Sequence, residues 1–389
     1  MLELIVYGGM NVKEIRILHC ADMHLGAELS TFGRKAVTRR AEVKRTFLNI
    51  LKLCQDEKIQ LLLIAGDLFD NVHVQKTMLE EIKNGLAGLE DTTIAIAPGN
   101  HDPITEDSPY LLKDFWPDNV IIFKGALEKI ELEKLGVRLW GGAFTGTYQT
   151  DSMLKNFTIP DDELINICVI HGELVAPHQK SNYNPITEMQ LKNSKVDYVA
   201  LGHIHEQTEV LKAGNTYYAY SGCPEGRGFD ELDEKGVYIG TVSKGLCRLK
   251  YRRLCQRMNV ELHVDISDAK NSKMAADIIL DKMKSRYEEN YSENLYKVIL
   301  EGMIADNVSI DIDDIKAILY EIFFVKIKDH TTVKIDFDAV PEETTLRNIF
   351  IRKMMERIND AGPDEKEKLN KALRLGLKAF FGEVKYSED

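Results

Sequence analysis

The chain has 389 residues, 44% of them hydrophobic and 29% charged, which is the balance of an ordinary globular protein large enough for two or three domains. No apolar run approaches the roughly 20 residues of a membrane helix, so no membrane association is expected. A net charge of −12 argues against gripping nucleic acid by bulk charge alone, and six cysteines without a C-x-x-C pair read as reduced thiols of a cytoplasmic protein.

Met1 to Val6 has neither a basic leader nor a long apolar core, so it does not read as a secretory signal, and Met10 offers an alternative start. A first strand is predicted over Glu14–Cys20. A long helix follows from Val37 to Lys58, with Val43, Phe47, Ile50, Leu51 and Cys54 at helical spacing. The continuous apolar run Leu61–Ala65 suits a strand buried on both faces. A helix over 75–88 and a strand over 92–97 continue the alternation, which is the rhythm of an α/β fold with right-handed crossovers. Further strands are expected at 119–123, 128–132, 137–140, 165–170, 196–201, 216–220, 236–242 and 246–254. The richer β content of this later part suits two sheets packed face to face between helices.

The pattern changes near residue 256. Strands are predicted at Val260–Ile266, Leu295–Ile304 and Phe324–Phe337, with helices at Met274–Tyr287 and Ile312–Ile322 between them. This small module, 256–340, reads as a cap domain distinct from 1–255. In the C-terminal segment, 341–389, Thr344 or Thr345 caps a helix, Gly362-Pro363 breaks it, and a second helix runs to about Gly382. The two apolar faces suit either docking on the chain itself or an external helical partner.

Five apolar strands end in groups that bind metals or move protons. They deliver Asp22 and His24; Asp67 and Asp70; Asn100, His101 and Asp102; His171; and His203 with His205. Side chains just past the carboxyl ends of parallel strands converge on one crevice. Five of the ten histidines lie in these places. Each motif alone also fits a turn, a cap or a packed histidine; the ordered set of five does not. Mixed His, Asp and Asn donors suit Mn²⁺, Fe²⁺ or Zn²⁺, and a carboxylate flanked by ligands on both sides is how a two-metal hydrolase is built. Two basic stretches stand out in an acidic chain. Arg34, Lys35, Arg39, Arg40, Lys44 and Arg45 form one, and Arg248, Lys250, Arg252, Arg253 and Arg257 the other. Each reads as a solvated face or as a strip for phosphates.

The ordered pattern D-x-H, G-D-x-x-D, G-N-H-D, H-G and G-H-x-H resembles the calcineurin-like metallophosphoesterases. The stretches Ala21 to Gly26 and Ala65 to Asp70, with the basic helix, look like SbcD-type double-strand-break repair nucleases, and Tyr220 to Glu231 is similar to a segment of their YhaO branch. The resemblance is close over 14–255 and extends to 256–389 only in general layout. It implies a four-layer α/β/β/α sandwich with a small α+β cap and a C-terminal helical hairpin. It implies a DNA exonuclease, with possible endonuclease action, using two divalent ions, Mn²⁺ first. One ion would be held by Asp22, His24 and His205, the other by Asn100, His171 and His203, with Asp67 bridging. His101 would face the scissile phosphate or protonate the leaving oxygen, and Asp102 would orient its ring. Asp70, Arg39, Arg40, Arg45 and Arg227 are candidate substrate contacts. A homodimer and an SMC-like coiled-coil ATPase partner bound through the C-terminal helices are also implied. The competing readings are a phosphoesterase for a small or protein-borne phosphoester and a non-catalytic DNA-end scaffold.

Overall fold

The computed structural model describes residues 5–7, 10–160, 162–305, 308–334 and 345–380. They form two compact units that divide between Met258 and Asn259. In the first unit a hairpin pairs β1 (Ile5–Tyr7) with β2 (Met10–Val12), in a region the sequence left as a possible extension ahead of Met10. Then follow β3 (Glu14–Cys20), α1 (Ala36–Asp56), β4 (Leu61–Ile64), α2 (Lys76–Ala87), β5 (Thr93–Ile96) and β6 (Val120–Ile122). The unit continues through β7 (Glu128–Leu132), β8 (Val137–Gly141), β9 (Ile165–His171), α3 (Glu188–Ser194) and β10 (Tyr198–Gly202). It is completed by β11 (Leu211–Ala213), β12 (Thr216–Tyr220), β13 (Gly236–Ser243) and β14 (Leu246–Arg253).

Two six-stranded sheets result, in the orders β14-β13-β3-β4-β5-β6 and β11-β12-β10-β9-β8-β7. In the first, β3, β4, β5 and β6 run parallel. In the second, β8, β9, β10 and β12 run parallel. Alternation along β9 explains how the sheets pack. Ile165, Ile167 and Val169 join Ile15, Ile17, Leu61 and Leu63 of the other sheet in one buried cluster. Cys168 and Ile170 point the opposite way, into a cluster with Leu191 of α3 and Val199 and Leu201 of β10. The two sheets therefore share one core between them, as the sequence predicts. On α1 the expected apolar stripe is buried, and so are Arg39, Glu42 and Thr46. Helix α3 and strand β11 were not anticipated. The helix is only 7 residues long, but Thr187 and Gln190 form a reciprocal capping box whose T-x-x-Q pattern is visible in the sequence.

In the second unit β15 (Asn259–Asp265), β16 (Leu295–Glu301) and β18 (Phe324–Asp329) form a parallel sheet, and β17 (Met303–Ala305) pairs with β19 (Thr332–Lys334). Helices α4 (Ser272–Tyr287) and α5 (Ile312–Ile318) make the crossovers. The run expected as one strand over Leu295–Ile304 is broken at Gly302, whose φ of +102° lies in the region glycine tolerates. Helices α6 (Leu346–Asp360) and α7 (Pro363–Phe380) pair through Ile351, Met354, Ile358, Leu373 and Leu377. Thr345 caps α6 by accepting from the Asn348 N–H. Val333 packs against the hairpin, and Arg374 of α7 bonds Asp329 and Thr331. The hairpin thus docks on its own unit. Thr344, Phe337 and Gly382 lie outside the described residues.

One buried polar bridge joins the two sheets. His19 of β3 accepts at Nδ1 from the Tyr198 hydroxyl of β10 (2.8 Å) and donates from Nε2 to the Leu201 carbonyl (3.1 Å). The first bond needs the neutral ring, because a protonated imidazole has no lone pair on Nδ1. Burial pushes the His19 pKa from 6.5 down to about 3, against the Leu201 bond, which raises it. A depressed folded-state pKa gives stability that is full above 6.5 and is lost as pH falls toward about 3. Replacement His19→Gln keeps a donor and an acceptor but does not titrate. Between neutral pH and pH 4, the wild type is expected to lose about 3 kcal/mol relative to this variant in denaturant unfolding. Parallel pH profiles for the two proteins would refute the assignment.

Candidate metal centre

The carboxyl ends of β3, β4 and β5 meet those of β9 and β10 at one edge of the sandwich. Backbone bonds lock them in place. The Asp22 N–H donates to the Gly66 carbonyl (3.0 Å), the His24 N–H to the Asp67 carbonyl (2.9 Å) and the Gly172 N–H to the Gly202 carbonyl (3.1 Å). Four of the strand-end residues adopt positive φ: Asp22 at 54°, His24 at 46°, Asp67 at 49° and His203 at 103°. Such conformations disfavour residues with a Cβ and persist only where the surroundings over-determine them; they cluster at functional sites. Two glycines make the close approach possible. A Cβ on Gly66 would lie 2.2 Å from His171 Nδ1, and one on Gly99 would lie 2.2 Å from Asp67 Oδ1.

The side chains converge. Asp22, His24 and His205 bring ligand atoms within 4.8 Å of one another; so do His24, Asp67 and His101, and so do Asp22, Asp67 and His171. Asp67 Oδ2 lies 3.6 Å from His24 Nε2 and 3.4 Å from His171 Nε2, between the two sets. Asn100 Oδ1 lies 3.0 Å from His171 Nε2. The His203 ring sits 5.2 Å from the His171 ring and is covered by Tyr183 at 4.6 Å. Its backbone N–H donates to both Asp22 oxygens at 3.1 Å.

The donor set fits divalent cations. His171 donates from Nδ1 to the Ala65 carbonyl (2.9 Å), which leaves a lone pair on Nε2, facing the Asn100 oxygen. His24 Nε2 and His205 Nε2 face each other at 3.3 Å. Acceptors aimed at acceptors repel unless a cation satisfies both. The electrostatics agree. Burial pushes the Asp22 carboxyl up to about 7, with Asp67 adding to the rise and His205 opposing it. Burial likewise pushes Asp67 up to about 6, against His101. It lowers His171 and His203 to about 4 and holds His24 well below its ordinary value. Neutral imidazoles beside carboxylates too buried to ionise freely form a cluster that a cation stabilises.

Three expectations change on contact with the geometry. Asp102 does not touch the His101 ring. It is fully buried, and its carboxylate accepts from the Gly99 N–H (2.8 Å), the Phe69 N–H (3.1 Å) and the Tyr110 hydroxyl (2.6 Å). It therefore staples the loop after β5 to the loop after β4. The ring is held instead by the Asp70 backbone carbonyl, 3.1 Å from His101 Nδ1. Arg39 is turned away from solvent. It bonds Glu42 (2.6 Å), Glu225 (2.8 Å) and the Gly226 carbonyl (2.7 Å), because the helix face it occupies is the one packed inward. Arg227 lies beside the cluster with its donors directed at Glu231 and toward Asp70. Arg40 and Arg45 remain exposed on α1, Arg40 bonded to the Glu28 carbonyl (2.6 Å). Sequence reasoning gave Glu231 no site role, although its Oε1 lies 2.7 Å from His205 Nδ1; the signals were its place at the end of the segment that carries the resemblance and an acid four residues after Arg227.

The space at Gly99 has a direct consequence. Gly99→Ala is expected to displace Asp67 and weaken Mn²⁺ binding at least about tenfold while the protein still unfolds cooperatively, as titration calorimetry and circular dichroism would show. Unchanged Mn²⁺ affinity would mean that Asp67 can shift without consequence.

Residues 15–207 match the family model of the calcineurin-like phosphoesterases. The chain is 26% identical over 302 residues to a protein named uncharacterized metallophosphoesterase YhaO of Bacillus subtilis (strain 168), which covers 75% of this chain and 72% of that relative. It is 26% identical over 277 residues to the D component of the nuclease SbcCD of the same organism, 59% of this chain and 67% of the relative. It is also 27% identical over 245 residues to the DNA double-strand break repair protein Mre11 of Methanosarcina mazei, covering 59% of this chain and only 37% of that longer relative. The family match opens at the second residue of β3 and closes just after His205, so it contains all five strand ends that build the cluster. By that match, over just under half of its length, and by its two-sheet fold, this chain is similar to the calcineurin-like metallophosphoesterase superfamily.

Proposed function

We propose that the protein is a dimetal-dependent DNA nuclease of the SbcD type, hydrolysing phosphodiester bonds in DNA-end processing or repair. The observation that carries the reading is Asp67, placed between two sets of donors at 3.4 and 3.6 Å. Asp22, His24 and His205 would hold one ion, Asn100, His171 and His203 the other, with Asp67 shared and Mn²⁺ the favoured metal. When bound, two such ions polarise the phosphoryl oxygens and lower the pKa of water. The chain's own work is orientation and proton transfer. The Asp70 carbonyl fixes His101 through Nδ1, so Nε2 is the ring atom left to meet the phosphate or to give a proton to the leaving oxygen as the P–O bond breaks. Asp67 accepts from the His101 N–H (3.0 Å), so the metal carboxylate and the proton donor move as one piece.

DNA as the substrate is supported by the nuclease and repair names of the relatives and by local charge. On edge strand β14, Arg248, Lys250 and Arg252 alternate outward while Cys247 and Leu249 face the core between the sheets. The register, Arg253 opposite Gly236 and Tyr238 opposite His19, runs this strip toward the end of β3 that carries Asp22. Phosphate contacts of this kind position a duplex without reading its sequence. Edge-strand charge also deters sheet-to-sheet aggregation, and both uses are compatible. The second unit is read as a substrate-shaping cap followed by a helical segment for an SMC-like ATPase partner. Leu346, Leu375 and Phe380 of the hairpin stay exposed, at 74%, 52% and 40%, as a helical partner would require. A homodimer belongs to the same reading. No helix among the described residues is long and apolar enough to cross a membrane.

The test is cleavage of linear and single-stranded DNA by purified protein with Mn²⁺, beside turnover of a small phosphodiester. DNA is expected to be preferred. Asp67→Asn is expected to abolish cleavage together with Mn²⁺ binding. His101→Ala is expected to lower the rate by about 10²-fold or more with Mn²⁺ still bound. Faster turnover of the small diester would point to the small-substrate alternative. Bound Mn²⁺ without cleavage of either would point to a DNA-end scaffold.

A further inference from the structure

Behind the strand-end groups lies a layer of side chains that lines the opposite side of two imidazoles. His205 Nδ1 is 2.7 Å from Glu231 Oε1, and His24 Nδ1 is 3.2 Å from Asp70 Oδ1. Arg227 stands between these two carboxylates. Its Nε and one terminal nitrogen donate to Glu231 Oε1 at 3.2 and 2.9 Å, and its other terminal nitrogen lies 3.5 Å from Asp70 Oδ1. The Arg227 backbone N–H donates to Glu231 Oε2 (2.6 Å), and the Cys223 thiol sits 3.5 Å from the same oxygen. Glu231 is buried, and the Arg227 side chain is only 18% exposed.

The proton positions follow from what each group can do. Arg227 also comes within 3.0 Å of His205 Nδ1, but a guanidinium only donates and a carboxylate only accepts. The Glu231 contact is shorter and is the one that an Nδ1–H satisfies. Proton on Nδ1 leaves the lone pair of His205 on Nε2, toward Asp22 Oδ1 at 3.8 Å. Asp70 Oδ1 lies in ion-pair range of His24 Nδ1 but outside hydrogen-bond geometry, so at this ring the carboxylate acts through its charge. A carboxylate behind a ligating imidazole fixes the ring and raises its basicity. Two such carboxylates side by side repel, and a planar guanidinium offers donors on separate edges to hold both. The other half of the cluster is held differently: His171 is fixed by the Ala65 carbonyl and His203 is covered by Tyr183.

We infer that Arg227 is a positioning residue: by clamping Glu231 and Asp70 it sets the tautomer and plane of His205 and holds a carboxylate charge against His24, and so sets the affinity for one of the two divalent ions. This rests on the dimetal reading above and takes Arg227 away from direct contact with substrate. Its donors are spent on carboxylates, and truncating it would release two acids next to the same pair of imidazoles.

Mn²⁺ titration of the full-length protein, by calorimetry and by electron paramagnetic resonance, tests this without turnover. The wild type is expected to take up two ions and show a spin-coupled pair. Arg227→Ala and Glu231→Ala are each expected to weaken one ion about 10–100-fold and leave the other unchanged, so that at Mn²⁺ levels filling both wild-type sites the spectrum is that of an isolated ion. Glu231→Gln, whose amide oxygen still accepts from Nδ1, and Arg227→Lys, which keeps charge but loses the fork, are expected to fall between and cover the case in which an alanine variant does not fold. Two unchanged Mn²⁺ affinities in Arg227→Ala, with or without a rise in KM for DNA, would overturn the inference and leave the dimetal reading intact. Failure of the wild type to bind Mn²⁺ would overturn both.

Discussion

Asp22 and Asp67 are buried where the parallel strands of two mixed sheets end, and the surrounding structure serves the need to hold these carboxylates out of water. A carboxylate removed from solvent without compensation has its pKa raised, and burial pushes both up here, to about 7 and about 6. Backbone donors soften the cost. The His203 N–H serves Asp22 and the His101 N–H serves Asp67, each from a loop that carries another of the strand-end groups. The carboxylates therefore organise the loops as much as the loops position the carboxylates. Divalent cations would complete the same balance, because the donor set around the two carboxylates fits them.

Positive φ at Asp22, His24, Asp67 and His203 is the conformational side of this arrangement. The loops must turn sharply at the strand ends to aim side chains at a shared point, and that strain is held by ladder-like bonds between loops. Asp102 shows how such an arrangement is fastened. Its three donors come from the loop after β4, from its own loop and from Tyr110, and all three are buried around one carboxylate. The residue that looks most like the orienter of a catalytic histidine is the staple that holds that histidine's loop.

Arginines in this chain take three different fates. Arg39 ties α1 to Glu225, whose other oxygen accepts from Thr46 and from the Gln256 N–H at 2.8 and 2.7 Å, so a buried ion pair closes the first unit where its chain ends. Arg227 serves two acids beside the histidines. Arg248 and Arg252 lie outward on an edge strand. Residue type alone cannot separate these fates, because a guanidinium is equally at home in a bidentate buried pair and on a solvated strip.

The sequence by itself determined most of the strand and helix order, apart from the β1–β2 hairpin, α3, β11 and the break at Gly302, together with the two-sheet core and the five strand ends that converge. These are local properties: apolar runs, helical spacing, and polar residues placed where a strand stops. It determined little about what the polar groups touch. His19 reaches Tyr198 across 179 positions, Arg39 reaches Glu225 across 186, and Glu231 meets His205 only because the chain after β12 folds back on the loop after β10. Such pairings depend on the approach of segments distant along the chain, and no periodicity encodes them. Tertiary structure decided which histidine bridges the sheets, which aspartate staples a loop and which arginine stands behind the clustered histidines, because burial and a partner's distance decide whether a polar side chain holds the fold or does chemistry.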